Sequence, residues 1–131
     1  MPKIFSEKER IEIIETLQKG AMHELSRVGV RKTTVDELCR ISHLAKGSFY
    51  LFYESKEELF LDCLKTFADS LEEMYLGMLQ NLDENHIVSS LTTVFVTIAK
   101  RFRDEGMFRF LDEENIALIK RKVPEIRLKD L

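Results

Sequence analysis

Three times within its first 60 residues the chain sets a hydroxyl three positions ahead of a glutamate, at Ser6 and Glu9, Thr34 and Glu37, and Ser55 and Glu58. In such a pair the hydroxyl accepts from an early helical amide while the glutamate reaches back to the cap residue, so each pair marks a helix start. A first helix, beginning near Glu7, carries Ile11, Ile14, Leu17, Ala21, Leu25 and Val28 on a roughly 3.6-residue period and meets Gly29 where a left-handed C-cap takes glycine. Residues 30–33 then make a short basic connection. A second helix, from about Val35 to Ser42, has Val35, Leu38 and Cys39 on one apolar face, and a third, from about Ala45 to Tyr53, turns Phe49 and Tyr53 inward at i, i+4 spacing. With Leu44 at the corner, the second and third helices read as a helix-turn-helix.

A fourth helix, much longer, runs from Lys56 to about Asn81, which is about 40 Å at roughly 1.5 Å per residue. Leu59, Cys63, Phe67, Leu71, Met74 and Met78 form its stripe. After the Asp83-Glu84-Asn85 break, Ile87, Leu91, Val94, Phe95, Ile98 and Phe102 line a fifth helix that ends near Gly106. Met107, Phe108, Phe110 and Leu111 make an apolar knot that reads as a short helix, and a last segment runs from about Glu113 to Lys122 before Pro124 stops it. The expected fold class is all-α. A three-helix head, residues 1–55, is joined by the long fourth helix to a helical second part, residues 56–131.

Composition agrees: 44% apolar and 33% charged residues with only 2 Pro and 5 Gly describe a soluble, helical, globular chain. No apolar run approaches the roughly 20 residues of a membrane span, and the charged N-terminus lacks a signal-peptide core, so a cytoplasmic location is expected. Cys39 and Cys63 fall on apolar helical faces and are expected to be buried, reduced thiols; a redox switch at Cys63 is the other reading. There is no Gly-rich phosphate loop, no paired metal-ligand motif and no Ser or Cys nucleophile beside a base, so no enzyme, cofactor or metal is expected. His43 has no second ligand at metal spacing.

The formal net charge of −3 argues at first against a nucleic-acid partner. The excess is local, however: residues 1–60 hold ten basic and ten acidic side chains, and residues 61–131 ten and thirteen. Asp36 and Glu37 are further explained by the positive end of the second helix. Electrostatics therefore permits a DNA partner for the head without predicting one.

Thr34, Leu38, Leu44, Lys46-Gly47-Ser48-Phe49-Tyr50, Tyr53 and Lys56-Glu57-Glu58-Leu59 follow the order and spacing of the DNA-binding domain of the TetR (tetracycline-repressor-like) transcriptional regulators, and the chain resembles that family over residues 10–62. The resemblance implies a sequence-specific repressor, dimeric when intact, whose short third helix enters the major groove of a palindromic operator. It also implies a small-molecule effector sensed by the helical domain behind. Because family members usually continue for several more helices, residues 56–131 are expected to be an incomplete regulatory domain. The chain departs from the family pattern at His43, where glycine is usual, at Ala45, where serine caps the third helix, and at Phe52, where Tyr or His is frequent. Histidine tolerates positive φ better than most residues. Alanine cannot cap, at a cost of about 1 kcal/mol relative to serine.

The candidate DNA-binding residues are Thr33, Thr34, Lys46, Gly47, Ser48, Tyr50, Leu51 and Lys56. Leading-end residues of the third helix are those that reach base edges: Lys46 suits guanine or phosphate, Ser48 any base, Leu51 a thymine methyl and Tyr50 a phosphate. Gly47 weakens a helix unless something must approach closely. The family uses a threonine at the start of the second helix on phosphate, which points to Thr33 or Thr34. Lys56 stands against its own helix dipole, which suggests an outside anion, although Glu57 and Glu58 compensate a merely solvated lysine as well. Tyr50 and Leu51 can equally be exposed residues of an ordinary helix, and Arg31 and Lys32 either phosphate contacts or solvated cations. By family analogy the effector, a small hydrophobic ligand, would lie among the fourth to seventh helices and tilt the fourth. Phe67, Leu71, Met74, Phe95, Ile98, Phe102 and Phe108 are the candidates for holding it, and an ordinary core uses the same residue types. The alternative to a regulator is a helical protein-interaction module that keeps the head's fold without DNA binding, in keeping with the acidic charge, His43 and Ala45.

Overall fold

The computed structural model describes residues 4–123, which form seven α-helices: α1 (Glu7–Arg27), α2 (Gly29–Lys32), α3 (Val35–Ser42), α4 (Lys46–Phe49), α5 (Lys56–Gln80), α6 (Ile87–Asp104) and α7 (Glu113–Lys122). Short 3-10 turns cover Glu84–His86 and Met107–Leu111, and no strand occurs among the described residues. Pro124, expected to stop the last helix, lies outside them.

The capping chemistry holds in three different ways. At α1 the box is complete, with the Glu9 amide donating to Ser6 Oγ and the Ser6 amide to Glu9 Oε1, both at 3.1 Å. At α3 the Thr34 hydroxyl accepts from the Glu37 amide at 3.1 Å, but the Glu37 carboxylate is taken by the Arg40 guanidinium. At α5 Ser55 Oγ accepts from the Glu58 amide, and Glu58 Oε2 accepts from the Glu54 amide at 3.1 Å, one residue further back than a box requires.

Two element boundaries differ from expectation. Residues 29–32, expected to be a C-cap glycine followed by a connection over 30–33, wind into the one-turn helix α2, entered through Gly29 at φ +81°. The third helix of the head is regular only over Lys46–Phe49, where nine residues were expected. Ala45 offers no side-chain cap and Gly47 has poor helix propensity, so the chain passes into tighter turns. Leu51 and Phe52 donate to the carbonyls three residues back, Ser48 and Phe49, at 3.1 and 2.9 Å. The turn before α4 rests on His43, which takes the left-handed conformation at φ 52° while the Leu44 amide donates to the Cys39 carbonyl at 2.9 Å.

Leu17, Ala21 and Leu25 of α1, Val30, Leu38, Phe49, Leu59 and Phe60 are fully buried together. Burial of one such Leu or Phe side chain contributes about 1.5–3 kcal/mol, which is what holds a four-residue α4 that has no stability of its own. The same cluster continues without a break through Cys63 and Phe67 of α5 into Met107, Phe110, Ile119 and Val123. Head and second part are also joined by polar contacts. The buried Asn115 of α7 accepts from the Val30 amide at 3.0 Å and donates to the Arg109 carbonyl at 2.9 Å, and Arg31 pairs with Glu114 at 2.7 Å. Farther from the head the packing thins: Val94 is the buried residue of α6, and Phe95 is 69% exposed.

Candidate nucleic-acid interface

The inward side of α4 and its following turn is occupied by Phe49 and Tyr53, which are 0% and 9% exposed. Sequence positions between and before them must then point away from the core, and they do: Lys46, Gly47, Tyr50 and Leu51 are exposed and Ser48 is half-buried. The Tyr50 ring packs T-shaped against Phe49 with centroids 5.3 Å apart, and the residue stays 50% exposed. A Cβ built on Gly47 meets nothing within 4 Å, so the chain's own packing gives no reason for glycine there. Thr34 is exposed beside this edge, with its hydroxyl at the α3 cap.

The cations are less free than expected. Lys46 Nζ lies 3.1 Å from Asp36 Oδ1, and that hydrogen bond raises the lysine pKa above its ordinary value. Lys56 donates to the carbonyls of Arg31 and Thr33 at 3.0 and 2.6 Å, closing the C-terminal end of α2. Partial burial lowers its pKa. The partners of this cation inside the molecule are therefore neutral acceptors, the Arg31 carbonyl in α2 and the Thr33 carbonyl at its cap. Thr33 needs correction as well. It is 1% exposed and its hydroxyl donates to the Gly29 carbonyl at 2.8 Å, so it faces the core and offers nothing to an outside phosphate. Arg10 lies over the Phe52 ring, 5.0 Å from its centroid, and supplies a cation where the aromatic has no polar handle.

Residues 17–63 match the family model of the bacterial regulatory proteins, tetR family, a span that runs from Leu17 of α1 through the helix-turn-helix to Cys63 of α5. Over these residues the chain is similar to the tetR family. It is 27% identical over 104 residues to an uncharacterized HTH-type transcriptional regulator, YdgC, of Bacillus subtilis (strain 168), an alignment covering 79% of this chain and 50% of the relative. The chain thus spans about half the length of the curated relative it matches. No solved structure matches it.

Among the described residues the expected ligand residues are divided between separate clefts. Phe67 touches a cleft of about 470 Å³ between α1 and α5, and Met74 another of about 460 Å³ between α5 and α6. Phe102 sits between Phe67 and Phe108, with ring centroids 5.0 and 5.7 Å away, as packing within the molecule. Leu71 packs against the core, Ile98 is half-buried, and Phe95 and Phe108 are exposed. Among the described residues no helix is long and apolar enough to cross a membrane, and no cluster of three His, Cys, Asp or Glu is placed to hold a metal. Sequence reasoning missed the Asp36 partner of Lys46 and the Asn115 contact with α2. The first was detectable as an acid at the start of the neighbouring helix; the second, 85 residues apart, left no local signal.

Proposed function

We propose that the chain is the DNA-binding part, with some of the regulatory part, of a sequence-specific transcriptional regulator. The exposed edge of α4, Lys46, Gly47, Ser48, Tyr50 and Leu51, is read into the major groove, with Thr34 and Arg10 flanking it. One observation carries this: α4 and the turn after it bury Phe49 and Tyr53 and leave outward a glycine that the chain's own packing does not require and a half-exposed Tyr50. The match of residues 17–63 to the tetR family model supports the same reading, including a cytoplasmic homodimeric repressor that leaves a palindromic operator when the domain behind the head, residues 56–131, takes up a small hydrophobic molecule. Binding energy in such a site comes largely from phosphates and base discrimination from groove contacts.

A second reading has two observations in its favour. Lys46 is already paired with Asp36, and Val88 and Phe95 on α6 are 76% and 69% exposed, as a helical protein-interaction module would have them. Selection from randomised duplexes separates the two. A regulator enriches a palindrome with half-sites about 34 Å, one helical turn, apart. An interaction module enriches nothing.

A further inference from the structure

Two inward anchors hold the four-residue α4 and the turn that continues it, and they differ in kind. Phe49 packs by shape alone, and apolar burial is non-directional, so it fixes where the turn sits without fixing how it is rotated. Tyr53, its ring 6.1 Å from that of Phe49, brings a hydroxyl to the part-buried seam between α1 and α5. That hydroxyl donates to Asp62 Oδ2 of α5 at 2.5 Å, and the same oxygen accepts from Gln18 Nε2 of α1 at 3.1 Å. Gln18 also donates to Thr66 Oγ1, one turn further along α5, at 3.1 Å. A single carboxylate oxygen thus joins α1, α5 and the end of the turn after α4. Burial first, and the Asp62 hydrogen bond next, push the Tyr53 pKa above its ordinary range, so the hydroxyl keeps its proton and remains a donor.

Stability alone does not call for this pair. A phenylalanine at position 53 would fill the same space, and a leucine at position 62 would spare a half-buried carboxylate its lost hydration. Replacing both partners of such a hydrogen bond by apolar groups can be nearly neutral. What the pair adds is direction, because a charge-assisted hydrogen bond is short and angle-dependent. α4 has the greater need of it. The helix is a single turn without a side-chain cap, and its leading end is held by the exposed pair of Lys46 and Asp36, which is a weak restraint. We propose that Tyr53 and Asp62 are positioning residues, whose hydrogen bond holds the outer edge of α4, residues 46–51, in one pose against α1 and α5. They act through Lys46, Ser48 and Tyr50. The consequence for base reading rests on the function proposed above; the pose does not.

Tyr53→Phe removes the donor and Asp62→Leu the acceptor, while Asp62→Asn keeps an oxygen able to accept. Relaxation dispersion on the backbone amides of the full chain reads the pose without DNA. The wild-type amides of residues 46–51 should give flat profiles. In Tyr53→Phe and Asp62→Leu they should shift and show exchange between poses, with the amides of α6 unchanged, and Asp62→Asn should restore the flat profiles. On a selected duplex both variants should bind about tenfold more weakly, the effect of a groove-competent pose populated about one-tenth of the time. Affinity for a scrambled duplex, carried by phosphates, and the salt slope should stay as in the wild type. A lowered urea midpoint with flat profiles at residues 46–51 marks a merely structural contact and overturns the positioning role, as does no change at all. Exchange at residues 46–51 in variants that discriminate as well as the wild type overturns the part in base reading. A wild-type chain that selects no duplex defeats the regulator reading instead, and the dispersion profiles then decide the positioning role by themselves.

Discussion

Lys46 at the tip of α4 is neutralised by Asp36 at the start of α3, their charged atoms 3.1 Å apart and both side chains exposed. A duplex bound as proposed competes with this carboxylate for the ammonium. Asp36→Asn is therefore expected to tighten duplex binding by up to about fivefold, the ceiling for an exposed ion pair. Lys46→Ala should weaken binding and reduce the magnitude of the salt slope, log K against log salt, by about 0.9. Fluorescence anisotropy across a salt series measures both.

Gly47 separates stability from recognition. Its backbone is not left-handed and a Cβ there meets nothing, so Gly47→Ala should stabilise the free chain by about 0.5–1 kcal/mol through helix propensity. In the proposed complex the same methyl stands toward the groove, and duplex affinity should fall. Urea unfolding and duplex titration on one preparation check the opposed signs.

Ala45 has the extended backbone of a cap residue, φ −69° and ψ 144°, without a side chain able to accept. Ala45→Ser should supply that acceptor to α4 and stabilise the head by about 1 kcal/mol. Unfolding midpoints with an unchanged denaturant slope would register the gain.

Asn115 joins the two parts of the molecule. Asn115→Ala leaves the Val30 amide and the Arg109 carbonyl without their partner in a site 5% exposed, at an expected cost of about 2–3 kcal/mol. Amide hydrogen exchange should show the loss first at α2 and the start of α7.

What was legible in the sequence was local. Hydroxyl and glutamate at three-residue spacing gave the starts of α1, α3 and α5, because a cap is made within one turn. Apolar period gave Phe49 and Tyr53 as the inward side of α4. The internal partners of Lys56, the carbonyls of Arg31 and Thr33, left no signal because they lie 25 and 23 residues away, on and just after a helix too short to leave a pattern. Thr33 was misread because two adjacent threonines look alike until the backbone decides which faces inward. The ligand residues were the least legible of all, since a core and a pocket wall draw on the same apolar side chains.

The claim that most depends on these contacts is that the exposed edge of α4 reads a base sequence. It is tested by comparing a selected duplex with a scrambled one of equal composition, for the wild-type chain and for Lys46→Ala/Tyr50→Ala. The wild-type chain should prefer the selected duplex by about a thousandfold or more, and the double variant should lose most of that preference while its unfolding curve is unchanged. A double variant that folds and discriminates as well as the wild type would contradict it.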